Sequence, residues 1–171
     1  MKTIVMAKRA FVVALLLSVV GFGAAISAEL MQKQKGKKTT PESSAKLRFI
    51  NRAPAGYSHV VEARGGRTLY LSGQIAVDAQ GKLVGAGDFR AQVKQVFENL
   101  NTRLAEGGAT FKDVVKLNFY LTDASEMQAL REVRDSYINL AAPPASTLVV
   151  VKQLVRPEYL LEVEAVAVAG E

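Results

Sequence analysis

The sequence contains no cysteine and a single histidine, His59. Without cysteine there is no disulfide framework, no thiol nucleophile, no thiolate-bound metal and no acylated cysteine to tether the chain to lipid. One imidazole cannot build a histidine cluster for zinc, and it leaves a Ser/His/Asp triad with no second choice of base. A basic surface is missing too, although the net charge is +6. Lys2, Lys8 and Arg9 supply +3, and residues 29–48 supply +4 through Lys33, Lys35, Lys37, Lys38, Lys46 and Arg48 against Glu29 and Glu42, so residues 49–171 carry about −1. No nucleic-acid-binding face is indicated, which argues against a ribonuclease. There is no internal repeat.

What is present begins with an export signal. Three positive residues precede an uncharged run from Ala10 to Ala28, centred on Leu15-Leu16-Leu17 and ending in small residues. This predicts a signal peptide over residues 1–28, cleaved after Ala28 or Ala25, and a periplasmic or secreted protein with no membrane attachment after cleavage. An uncleaved anchor is the rival reading, because the run approaches the length of the shortest membrane-spanning helices. Residues 29–48 are polar, basic and aperiodic over QKQKGKKTTPESSAK, which predicts a flexible linker, with an arm touching anionic lipid or polysaccharide as the alternative. Residues 49–171 remain for one domain, roughly 120 residues and enough for a single core.

Within that domain, Val60 to Arg64 and Arg67 to Ser72 are strand-like runs around Gly65-Gly66, predicting a hairpin. Asp88 is placed to cap a helix on which Phe89, Val93, Val96, Phe97, Leu100 and Leu104 form one apolar face, with Gly107-Gly108 as its stop. Gly85-Ala86-Gly87-Asp88 is superficially like a phosphate loop but lacks its lysine and full glycine spacing. Val114 to Leu121 alternates as a strand, with Val115, Leu117, Phe119 and Leu121 sharing a face. A second helix follows Thr122-Asp123, with Met127, Leu130, Val133 or Arg134 and Tyr137 at helical spacing. Pro143-Pro144 ends it, and strands follow over Thr147 to Val151 and Leu160 to Val168. The order ββαβαββ predicts an α+β domain with two helices on one face of a mixed sheet. The other face reads as too apolar for solvent, hence covered by neighbouring subunits.

GYSHVV, LYLSGQIAVD, the long block from Phe89 to Asp123 and the closing LLEVEAVAV together resemble the Rid (reactive intermediate deaminase) family, also called the YjgF family, over about Pro54 to Val168. The resemblance implies a chorismate-mutase-like fold, a barrel-like homotrimer and three small-molecule clefts between subunits. It also implies hydrolysis of enamines and imines to ketoacids and ammonia, with no cofactor and no metal. Position by position, it puts the family's catalytic glutamate at Glu162, the substrate-binding serine at Ser72 and the tyrosine at Tyr57. Thr147 and Leu148 continue the binding strand.

One position departs from the pattern. The family's carboxylate-binding arginine is expected in a PARS-like stretch, and here Pro143 to Thr147 reads PPAST, which places Ser146 or Ala145 where the guanidinium should be. A guanidinium offers paired donors and a fixed charge, whereas a hydroxyl offers one neutral bond. Charge-assisted bonds contribute about 1.5–3 kcal/mol against about 1 for neutral ones, so carboxylate binding should weaken roughly tenfold or more and the substrate range should shift. Arg156, Arg64 and Arg67 are the candidate replacements. A binding or scaffold trimer without chemistry is the alternative function.

Overall fold

The computed structural model describes residues 45–170. The expected signal peptide and most of the expected linker lie outside the described residues. Six strands and two helices follow in the order β1 (Lys46–Ala53), β2 (Tyr57–Arg64), β3 (Arg67–Gln74), α1 (Phe89–Glu106), β4 (Val114–Leu121), α2 (Met127–Arg134), β5 (Ala145–Val150) and β6 (Leu161–Ala169). They form one mixed sheet, ordered β1-β2-β5-β4-β6-β3, in which β5 runs parallel to β2 and β4 and the other pairings are antiparallel. The α+β reading with two helices on a mixed sheet therefore holds.

α1 forms for the reasons its sequence gives. The Asp88 carboxylate accepts from Ala91 N at 3.0 Å, the six apolar residues of its stripe are all buried, and Gly108, at φ +69°, turns the chain away. Gln92 is buried on the same face, a polar residue the stripe does not announce. Its amide is fully used, donating to Gly85 O and Glu158 O and accepting from Leu160 N. The buried side of the sheet is Leu117, Phe119 and Leu121 of β4 with Leu161, Val163, Ala165 and Ala167 of β6. Val114 is also buried, because a register shift between Val114 and Lys116 breaks the simple alternation.

Two expectations are corrected. β2 and β3 do not form a hairpin: β2 pairs with β1 and β5, and β3 pairs with β6 on the far edge. Gly65 and Gly66 do take positive φ, but the sheet curls so that Gly66 packs between Ala45 and the Ala169 carbonyl. What fixes β2 beside β5 is Ser58, whose N–H donates to Pro144 O at 3.0 Å and whose hydroxyl donates to Pro143 O at 2.7 Å. The hairpin comes one element earlier, between β1 and β2 through Gly56. β1 itself is the second correction, since it starts at Lys46, inside the segment read as linker. Its charges hide a strand because Arg48 lies opposite Glu62 and pairs with it at 3.0 Å.

Candidate functional site

The predicted site residues divide between three places in one copy of the chain. Tyr57, Ser146 and Leu148 meet in a cavity of about 150 Å³ between α2 and the sheet. Glu162 and Thr147 lie on the opposite, helix-free face. Ser72 is exposed on β3 at the far edge, where it lines a groove with Arg103 and Glu106 of α1.

The helix-free face was expected to be apolar, and its centre is not. Lys116, Asn118 and Tyr120 of β4 stand beside Glu162 and Glu164 of β6 and Thr147 of β5. Glu164 is occupied, its Oε1 accepting from Asn118 at 2.7 Å and from the Tyr120 hydroxyl at 2.9 Å. That bond to Glu164, with some desolvation, holds the Tyr120 phenol above its ordinary pKa. Thr147 receives a bond from the Lys116 ammonium at 2.5 Å. Glu162 is different: among the described residues its carboxylate has no hydrogen-bond or ion-pair partner. It lies across the backbone of Gly73, where an added Cβ would sit 1.8 Å from Glu162 Oε1. The glycine of SGQ is therefore the seat of this side chain. Gln74 folds back instead, donating to Ser72 O and Gly73 O. Toward its margins the face does become apolar, with Tyr70 83% and Val149 41% exposed.

The cavity is built from two elements. Phe119 and Leu148, Cα partners on β4 and β5, form its floor, and Met127 and Leu130 of α2 form its roof. Tyr57 and Ser146 bring hydroxyls from the starts of β2 and β5, and Tyr57 also meets the exposed His59 edge to face at 5.2 Å. Arg131 and Arg134 enter from the last turn of α2. Arg134 is buried and committed: it bonds Asp135 at 2.7 Å and Ala55 O at 3.1 Å, packed where a Cβ on Gly56 would fall 2.4 Å from its Nη2. Arg131 has neither an ion pair nor a side-chain hydrogen bond among the described residues.

Arg131 was missed from sequence, and the three arginines considered as replacements are placed elsewhere. Arg64 pairs with Glu62 at 2.5 Å, Arg67 donates to Gly107 O at 3.2 Å, and Arg156 faces Glu158 at 3.9 Å; none lines the cavity. The available signal was spacing: Met127, Leu130, Arg131 and Arg134 recur at the three- and four-residue intervals of one helix face.

Two helices packed on one mixed six-stranded sheet have the form of the chorismate-mutase-like folds. The model of the Endoribonuclease L-PSP family matches residues 50–169, and the chain belongs to this family, known also as YjgF, RutC or Rid. A RutC family protein of Pyrococcus abyssi is 34% identical over 122 residues, 70% of this chain and 93% of the relative. A 2-iminobutanoate/2-iminopropanoate deaminase of Mus musculus is 34% identical over 129 residues, 73% of this chain and 92% of the relative. The crystal structure of a Rid family protein of unknown function from Yersinia pestis superposes with a TM-score of 0.67 at 36% identity, covering 74% of this chain and 99% of that one.

Proposed function

We propose that the chain is an imine and enamine hydrolase in which Glu162 handles the water proton. The observation that carries this is the contrast between the two glutamates of β6: Glu164 is held by Asn118 and Tyr120, while Glu162 has no partner among the described residues and has a glycine seat that fixes its position. A carboxylate so placed accepts a proton from water as its oxygen adds to the imine carbon. That proton passes to nitrogen to give an amino alcohol, the new hydroxyl then gives up its own proton to nitrogen, and as the C=O bond forms the C–N bond breaks and ammonia leaves. Water and imine thus balance ketone and ammonia with no change of oxidation state; an enamine first takes a proton on carbon. The mouse relative named as a deaminase supports this reading.

Three copies supply the complete site. In one copy Glu162 and the cavity lie on opposite faces of the sheet, so a ligand held in the cavity meets Glu162 only from a neighbour. The exposed Tyr70, Val149 and Val60 are the apolar area such neighbours would cover. The test generates 2-iminopropanoate and 2-iminobutanoate in situ and follows their loss. Wild type should accelerate hydrolysis, and Glu162→Gln should lower the rate about 10²- to 10⁴-fold, the usual contribution of a positioned acid or base. Wild-type rates in Glu162→Gln would remove the mechanism. A metabolite-binding trimer without chemistry is the reading left if wild type is silent.

We also propose export, on the leader of residues 1–28. N-terminal sequencing of the expressed full chain should start at Glu29 or Ile26. A start at the initiating methionine or Lys2 would mean an uncleaved anchor.

A further inference from the structure

We propose that Gln92 and Asn99, two amides of α1, are positioning residues that hold Glu162 against its seat at Gly73. Their effect on turnover rests on the role given to Glu162 above, whereas the placement itself does not.

Both members of the contact stand at strand ends. Glu162 is the second residue of β6, and Gly73 is the last but one of β3. Strand ends fray before strand centres open. Here the ladder is broken as well, since the β3–β6 register shifts between Leu71 and Gln74, and beyond Gln74 the chain leaves the sheet. Pairing with β6 alone leaves the Gly73 end of β3 short of partners.

α1 supplies them. Asn99 spends its amide nitrogen on the segment that follows β3, donating to Ile75 O and to Val77 O at 2.9 Å each. Gln95, one turn earlier, donates to the Asn99 side-chain oxygen at 2.8 Å and so fixes which way the amide points. Gln92 serves the segment before β6 in the same way. It donates to Glu158 O at 2.8 Å and accepts from Leu160 N at 2.9 Å, while Thr122 N holds the Leu160 carbonyl at 3.2 Å. Ile75 follows Gly73 by two positions, and Leu160 precedes Glu162 by two. Gln92 and Asn99 are themselves separated by about two turns, so both project from one face of one rigid rod. Their spacing sets where the two backbone segments stand relative to each other, and hence whether the glutamate meets Gly73. The fit is close: the place a Gly73 Cβ would take lies 2.9 Å from Glu162 Cγ.

The competing account is that these amides only satisfy buried backbone groups and hold the fold together. That role predicts lower stability on substitution, with the turnover of the folded protein unchanged.

The experiment measures kcat and KM for imine hydrolysis by the full chain and by Asn99→Ala and Gln92→Met, each well below its melting point. In both variants kcat should fall about 10- to 100-fold, while KM stays within twofold because neither side chain lines the cavity between α2 and the sheet. In a Gly73→Ala background, which lacks the seat, either substitution should lower kcat less than twofold further, whereas independent effects would multiply. A reading free of activity comes from NMR: the NOE between Glu162 Hγ and Gly73 Hα should be present in wild type and lost in each variant. Gln128→Met, which removes an exposed amide of α2, should change neither the NOE nor the rate. Asn99→Ala decides should Gln92→Met not fold. The proposal is overturned by an NOE that survives both substitutions, or by a kcat loss that multiplies with that of Gly73→Ala. A lost NOE in the variants of a protein whose wild type hydrolyses no imine would remove the catalytic role of Glu162 and leave the placement standing. Hydrolysis that depends on Glu162, with the NOE and kcat unchanged in both variants, would remove the placement alone.

Discussion

Gly73→Ala should silence imine hydrolysis nearly as fully as Glu162→Gln while leaving the fold almost as stable. The added Cβ would lie 1.8 Å from Glu162 Oε1, 2.7 Å from its Cδ and 2.9 Å from its Cγ. No real contact is that short, so one side must move. Gly73 lies in the register shift between Leu71 and Gln74, but both of those neighbours are paired with β6 and limit how far the backbone can give, whereas the glutamate tip is the end of a flexible chain. The tip therefore leaves, at a cost of about 0.5–1.5 kcal/mol for a strained or altered rotamer. What is lost is position. A base displaced by an ångström or more no longer meets the water in line with the imine carbon, and the rate should fall about 10²-fold. The in situ imine assay and a urea unfolding curve, run together on the same variant, separate the two effects. Full turnover by Gly73→Ala would show that Glu162 is not used from this seat.

This dependence was legible in the sequence only by resemblance. Serine, glycine and glutamine at 72–74 look like any strand leaving for a turn, and nothing local says that Gly73 faces a carboxylate 89 positions later. Features fixed by neighbours in sequence were readable: the α1 stripe, its Asp88 cap and the alternation of β6 depend on a few consecutive residues. Strand partners were not. Gly65-Gly66 carries the same local signal whether or not its flanking strands pair, and the decision lies with Ser58 and the carbonyls of Pro143 and Pro144, 85 positions away for the side-chain bond. β1 was hidden by its charges, whose partner Glu62 sits on another strand. Arg131 was hidden for a related reason. On a short helix an arginine next to the apolar stripe reads as a solvent-facing residue. Only once β2 and β5 start side by side do Tyr57 and Ser146 line one cavity with it.

Phe97→Ala should be the most destabilising single substitution discussed, and it should slow imine hydrolysis although Phe97 does not line the cavity between α2 and the sheet. The ring is fully buried on α1 and meets Tyr137 at 4.9 Å, Phe111 at 5.8 Å and Phe119 at 6.5 Å between centroids. Those partners come from the segment after α2, the turn before β4 and β4 itself, so one side chain joins four parts of the chain. Tyr137 is anchored at its other end, donating to Glu98 at 2.7 Å, and burial first, then that carboxylate, pushes its phenol up to about 12. Truncation leaves a void that these held rings cannot collapse to fill, which puts the loss near the usual ~3–5 kcal/mol for phenylalanine. Against a total of about 5–15 kcal/mol, that is a fifth or more of the stability. The melting temperature should drop by roughly 10–20 °C. Phe119 then matters for function, because it lies against Phe97 and also floors the cavity between α2 and the sheet. Freed to tilt toward the void, it enlarges the cavity and loosens the grip on a ligand held there. Imine hydrolysis followed well below the new melting point should show a KM raised severalfold with kcat changed less, since Glu162 stands on the other face of the sheet. A variant that melts normally would mean the ring cluster repacks, and one that melts early but keeps the wild-type KM would mean the cavity floor does not depend on Phe97.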